Sequence, residues 1–361
     1  MTYTQPKQIT VDTRFPNRKA QRLLKNTAMT LAWPTVCLAV ALILCAASGE
    51  SLFNSMKQFW LYLGTVLTTF IAIWALNTNL NSGRMDFSLG ATGILAALLA
   101  SKFCLNGDFN TTGTILQYIG LTVFFGMLLG AVGAAVFILT RVPAIVTSLG
   151  MCLVFEGLAV IIQGASGNIK YRASGKLAAT FMSQPSNIVI ILLAVMVLMS
   201  LIICYSRFGY NKNALVYNQK IAVDTGINEI TSCIVCYVIA GGMIGLYQAL
   251  TDISNTTMTI SVNLGSASTV FRNFLPIFIG SMMMRYSNQI VSSFFAVIAT
   301  SLLTRGLEFA SAIGINSYIS SLITSVMILG VLVYMVDKNA FLSWLKLRRY
   351  MHKQKRLGLT K

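Results

Sequence analysis

Apolar runs close to 20 residues long recur along almost the whole of this 361-residue chain, and no other feature constrains its fold so tightly. As an α-helix, a run of that length spans the roughly 30 Å hydrocarbon core of a bilayer, and one water-soluble core cannot hide so many of them. The runs fall near 27–47, 59–79, 88–104, 113–139, 142–164, 187–205, 229–250, 273–284, 288–310 and 316–336. They predict an all-α, multi-pass integral membrane protein with about ten transmembrane helices. A single membrane domain, 27–337, lies between a basic segment, 1–26, and a basic tail, 338–361. Charged residues are only 10% of the chain, against roughly 25% in an ordinary soluble domain, so a separate soluble unit is not expected.

The net charge of +17 does not read as a nucleic-acid surface, because its distribution follows membrane topology. Lys7, Arg14, Arg18, Lys19, Arg22 and Lys25 precede the first run. Lys338, Lys346, Arg348, Arg349, Lys353, Lys355, Arg356 and Lys361 follow the last. An even number of spans puts both tails on one side, where Arg84, Arg141, Arg207, Lys212, Lys220 and Arg285 join them. Cytoplasmic loops carry the excess of Lys and Arg, so both termini are expected inside the cell membrane. The tail from Trp344 onward interleaves aromatics with cations, as a topology anchor or a strip along anionic headgroups would. The long polar lead and the membrane-length first run do not describe a removable signal peptide. The seven cysteines fall almost wholly inside apolar runs, where they act as small hydrophobes. Cys233 and Cys236 form a CxxC on an apolar span with no nearby histidine, which favours packing over redox or metal chemistry.

One polar stretch, Arg207 to Glu229, interrupts the apolar pattern and must stand in water. Ala214, Tyr217 and Ile221 recur at helical spacing, Lys220 and Asp224 sit four apart, and Gly226 is placed to end a helix in a left-handed conformation. The loop 206–228 is therefore expected to carry a short amphipathic helix across the cytoplasmic mouth, shaped for a partner to grip. Two of the apolar runs are short. Residues 273–284 contain Pro276 and Gly280 and follow a Ser/Thr/Asn-rich run, and residues 88–104 follow the break NLNSGRMDF. Short, interrupted segments at matching places in the two halves suggest an inverted repeat with a pathway between them. Gly126 and Gly130, like Gly241 and Gly245, form GxxxG pairs that let helix backbones approach closely.

Enzyme motifs are missing. The one histidine, His352, lies in the basic tail, and Gly175-Lys176 lacks the spacing, the hydroxyl residue and the preceding strand of a phosphate-binding loop. No catalytic, metal or cofactor site is expected, and any ATP must be bound by another polypeptide. Charge at membrane depth is costly and marks candidates for a solute pathway: Asp86 with Ser88, Glu156, Arg305 and Glu308. Local explanations compete with that role, an N-cap for Asp86 and an ion pair for Arg305 with Glu308. A cation or proton relay through Asp86, Glu156 and Glu308 would instead make the protein an ion-coupled secondary transporter.

Four stretches, in order, resemble the permease subunits of ATP-binding-cassette importers for ribose and similar simple sugars. GRMDFSLG (Gly83–Gly90) is similar to the family's G-x-D-L-S-V-G break, and VPAIVTSLGM (Val142–Met151) to its P-x-I-x-T-L-G-x-M helix start. RFGYNKNALVYNQKIAVDTGIN resembles the loop on which the family's permeases dock their ATPase, and PIFIGS (Pro276–Ser281) its V-I-G-G turn. The resemblance implies an importer permease moving a small polar solute, with a simple sugar as the default. It also implies a second permease subunit, a separate ATPase subunit and an extracytoplasmic solute-binding protein. The docking residues carried over are Ala214, Tyr217, Asn218, Ile221, Ala222 and Gly226, and the outer segment Gly167–Ser186, with Lys170, Arg172 and Lys176, would face the binding protein. This chain departs from the family at Arg84, Glu156, Arg305, Glu308 and Ser281, all near the implied pathway.

Overall fold

Each predicted apolar run coincides with a helix in the computed structural model, which describes residues 16–49, 51–80, 83–104, 112–164, 167–170, 184–255, 257–312 and 317–336. The basic segments 1–15 and 337–361, His352, the Gly175-Lys176 pair and most of the outer segment with Arg172 and Lys176 lie outside the described residues. The helices are α1 (Pro16–Ser48), α2 (Met56–Leu80), α3 (Leu89–Phe103), α4 (Thr112–Thr140) and α5 (Ala144–Gln163). Then come α6 (Pro185–Ser200), which runs on into a π turn at Leu201–Tyr205, α7 (Arg207–Tyr217), α8 (Gln219–Asp224) and α9 (Glu229–Asn255). The series ends with α10 (Ala267–Arg272), α11 (Phe274–Met283), α12 (Gln289–Ala312) and α13 (Ser317–Val336). Two four-residue strands, β1 (Gly167–Lys170) and β2 (Thr257–Ile260), pair antiparallel with Gly167 opposite Ile260, tying the exit of α5 to the exit of α9.

Among the described residues six helices are long and apolar enough to cross a membrane: Leu23–Ser48, Met56–Leu80, Gly113–Thr140, Ala144–Gln163, Glu229–Ser254 and Gln289–Phe309. A seventh qualifies if Val189–Ile203 is joined to α7 across a 64° bend. The other short runs do not reach. α3 has 15 residues and α11 has 10, or about 23 Å and 15 Å of helix at 1.5 Å per residue. Leu116, Leu139 and Ile161 are exposed on the outer surface, as side chains facing lipid tails would be.

Helices α2 and α3 are apolar nearly all round, so they take the centre. From Phe70 to Asn79 every residue of α2 is buried. Helices α4, α5 and α9 close around this pair, while α1 packs mainly on α12. The tightest seam joins α4 to α9, and both GxxxG pairs lie in it facing one another. A Cβ on Gly126 would sit 2.3 Å from the Gly241 carbonyl oxygen, and one on Gly245 would sit 2.5 Å from that of Thr122. Only glycine permits this approach, which brings backbone against backbone where no hydrophobic effect drives association. Cys233 and Cys236 are buried on α9, and neither is joined in a disulfide.

Candidate functional site

The two polar breaks predicted to interrupt the bundle meet each other. The first runs from Gly83 to Ser88 and the second from Ser261 to Asn273. At Gly90 the approach is so close that a Cβ would lie 2.1 Å from the Ser266 carbonyl oxygen, which accounts for the glycine there. Phe87 packs on Phe271 at 5.2 Å between ring centroids, and on Phe274 at 6.3 Å.

Helix α5 holds both breaks with one stripe of side chains spaced by four, the spacing that stacks residues on a single helix face. Ser148 Oγ donates to the Met85 carbonyl in the first break at 3.5 Å. Cys152 Sγ lies 3.2 Å from Ser266 Oγ in the second. Glu156, 3% exposed, accepts the backbone N–H of Leu264 at 2.9 Å and of Ser266 at 2.8 Å. Those N–H groups converge because Asn263 and Leu264 both hold positive φ, 59° and 64°, a conformation that Asn tolerates and Leu rarely adopts. The carboxylate thus compensates a strained turn with two charge-assisted hydrogen bonds.

Asp86 is also buried. Its carboxylate accepts Ser88 N–H at 2.9 Å, Ser88 Oγ–H at 2.6 Å and Asn79 Nδ2 at 3.3 Å. The expected N-cap is corrected: Ser88 occupies the cap position of α3, and Asp86, two residues earlier, forms an Asx-type turn ahead of the helix. Arg305 and Glu308 stand apart from this cluster. They form the expected local pair on α12 at 2.8 Å, with Arg305 also 5.0 Å from the Phe309 ring centroid, and α12 packs on α1, α2, α11 and α13. The structure therefore groups Asp86, Ser88 and Glu156 at the meeting of the two breaks, while Arg305 and Glu308 pair with each other on α12.

The polar loop folds as two helices rather than the single one expected. Asn218 breaks the run with extended backbone, φ −157° and ψ 95°, while its side chain accepts the Ile221 N–H at 3.2 Å and caps α8. An Asn offers the backbone that alternative to continued helix. At the other end Gly226, φ +91°, receives the chain in the left-handed conformation anticipated. The Ile227 N–H reaches the Ala222 carbonyl and the Gly226 N–H that of Val223, the paired bonds of a Schellman motif.

The loop residues divide by exposure. Tyr217 is 90% exposed and Ile221 60%, with Tyr210, Val216 and Val223 also outward. Ala214 is half-buried, Asn218 and Gly226 are at the surface, and Ala222 is packed inward at 4% exposed. Water does not favour such an apolar face on a polar loop.

Sequence reasoning missed three features. Asp252 on α9 is 2% exposed and accepts Tyr118 O–H at 3.0 Å and Gln248 Nε2 at 2.8 Å, so a carboxylate ties α9 to α4. The i, i+4 spacing of Gln248 and Asp252 at the end of an apolar run was the available signal. The four-residue stripe on α5 was equally readable. The third is a small cavity beneath the loop, lined by Arg84, Lys212, Leu215, Gln219, Glu229, Ser232 and Cys236. There Glu229 Oε1 accepts from both Arg84 and Gln219, each at 2.8 Å. Lys212 is 2% exposed, and burial pulls its ammonium below the ordinary lysine value. Among the described residues no group of three or more His, Cys, Asp or Glu is placed to hold a metal.

Comparison with known proteins gives a consistent answer. The autoinducer 2 import system permease protein LsrD of Yersinia enterocolitica is 24% identical over 280 residues, covering 74% of this chain and 81% of that protein. LsrD proteins of Yersinia pseudotuberculosis and Yersinia pestis are 33% identical over 101 residues, 28% of each chain. The chain is a relative of an ABC importer permease. No family model and no solved structure matches it. A helical, multi-pass membrane protein is what this kinship calls for, and transport across a membrane is its general role.

Proposed function

We propose that this chain is the membrane-spanning subunit of an ATP-driven importer for a small polar solute, with a simple sugar as the first candidate. The observation that carries the proposal is the alignment with 81% of a permease named for autoinducer 2 import. The loop supports it: an apolar face around Tyr217 and Ile221, set on α7 and α8, is the kind of surface that a separate ATPase would cover. In this reading α6 and α13 add two crossings to the six, and α3 and α11, too short to cross alone, make two more together with the breaks beside them. The loop and both termini lie in the cytoplasm, and a second permease subunit, alike or different, completes the pathway. An extracytoplasmic binding protein would deliver solute at the end of the bundle where β1 pairs with β2. Asp86 and Glu156 would then act less as contacts for solute than as the braces that shape the breaks bordering its path. ATP-driven closure of the ATPase pair would shift the loop, and the loop must contact the ATPase differently in the two states for any coupling to exist.

Reconstitution in vesicles tests this. The chain with its ATPase and binding protein should take up radiolabelled solute only with ATP present, and the chain alone should be silent. Uptake by the chain alone, driven by a proton or sodium gradient, would overturn the importer in favour of an ion-coupled carrier.

A further inference from the structure

The cavity under the loop holds two cations and one carboxylate. Arg84 belongs to the first break, two residues before Asp86. Lys212 belongs to α7 in the loop, and Glu229 opens α9. In the structure Glu229 Oε1 receives Arg84 at 2.8 Å and Gln219 of α8 at 2.8 Å, so a single oxygen joins the loop to the break. The Arg84 guanidinium also lies 6.0 Å from the Phe137 ring centroid on α4, and its side chain is only 13% exposed. Lys212 lines the same cavity, 2% exposed, and among the described residues no carboxylate is within ion-pair distance of it. A buried ammonium without a counter-ion is unfavourable, and Glu229 is the carboxylate that lines the same cavity.

We infer that Glu229 is a positioning residue for coupling, exchanging its partner between Arg84 of the break and Lys212 of the loop as the loop moves. The inference rests on the importer reading and deepens it by naming what carries motion from loop to pathway. Coupling between distant sites needs an element with two discrete arrangements, and one acid facing two cations on separately moving segments supplies one. With Glu229 on Arg84, the break is tied to α9 and Lys212 is left without a carboxylate partner. With Glu229 on Lys212, the loop is drawn in and the break, with Asp86, is released.

The two cations favour opposite states, so removing them should have opposite consequences. In the assembled complex of permease, ATPase and binding protein, Arg84→Met and Lys212→Met should each cut ATP-dependent uptake about tenfold, inside the range typical of allosteric coupling. Solute-free ATP hydrolysis should move in opposite directions in the two variants, relative to the parent, and Arg84→Lys should restore part of the uptake. A merely structural role would lower melting temperature and leave those rates unopposed. Should Arg84→Met fail to assemble, Glu229→Gln must remove the opposition by equalising the two cations, and Lys212→Met must still shift hydrolysis. Variants whose hydrolysis moves in the same direction, or not at all, in a complex that transports normally would overturn this inference alone. A parent chain that neither binds an ATPase nor shows ATP-dependent uptake would take down the importer reading, and this inference with it.

Discussion

The seam between α4 and α9 and the loop formed by α7 and α8 are built on opposite plans. In the seam, glycines let backbones touch, and a buried Asp252–Tyr118 bond crosses between the helices. The loop touches the bundle through a few inward side chains, Lys212 and Ala222 among them, and turns Tyr217 and Ile221 away from it. In the proposed importer the seam, tightly packed at its glycines, would be the fulcrum, and the loop, anchored by polar bonds, the part that moves. A transporter driven by a separate motor needs both, because motion of a lever does work only against something that stays fixed.

The largest effect should come from breaking the seam. Gly241→Leu would drive its Cβ to 2.2 Å from the Gly126 carbonyl oxygen. Overpacking costs about 1–3 kcal/mol even where side chains can yield, and backbone cannot. The variant should fail to give a monodisperse peak on size-exclusion in detergent. A well-behaved variant would mean that α4 and α9 are not locked together as described.

The loop should respond more selectively. Tyr217→Asp places charge on the exposed face, so ATPase retention on affinity purification should fall by about 30-fold, near the 2 kcal/mol of a hot-spot residue, with melting unchanged. Ala222→Arg forces charge into a packed position and should lower melting as well as docking. Equal melting losses in the two variants would erase the distinction between outward and inward loop residues. Gly226 is a poor probe of docking, since any side chain there strains a backbone at φ +91°.

Glu156 marks a second fixed point, at the meeting of the breaks. Glu156→Gln keeps one acceptor oxygen but sets an amide N–H₂ against a backbone N–H, so one of two charge-assisted bonds is lost. The expected cost is about 1.5–3 kcal/mol, read as a lowered melting temperature, with residual uptake of unchanged solute preference. A change of solute preference without a change in melting would place Glu156 in the pathway instead.

How far the sequence foretold this contrast depends on the range of the interactions. Helix positions followed from apolar run length, and the facing GxxxG pairs from small-residue spacing, because both are local patterns. The left-handed Gly226 was equally local. The break at Asn218 was not: Tyr217 and Ile221 keep helical spacing across it, and only the competition between backbone and side chain decides the outcome. Nor were the partners of Glu156 legible, because the Leu264 and Ser266 N–H groups lie more than 100 residues away in sequence. Asp86 reads as a cap in sequence because a carboxylate near a helix start usually is one, and the two-residue offset emerges only from the backbone path.

The smallest expected effect lies where loop and fulcrum meet. Burial disfavours charged Lys212, which Arg84, Glu229 and Cys236 face across the cavity, and its folded-state value falls below the ordinary 10.5. At a pH between those two values the unfolded chain binds more protons at this residue than the folded chain does. Stability therefore rises with pH through that window, and at lower pH the full cost of the buried charge remains. The melting temperature of the parent minus that of Lys212→Met should rise as pH approaches 10.5, by no more than about 4 °C per kcal/mol recovered. A flat difference would mean that Lys212 reaches water or a counter-ion, and that the loop rests on the bundle without the tension ascribed to it.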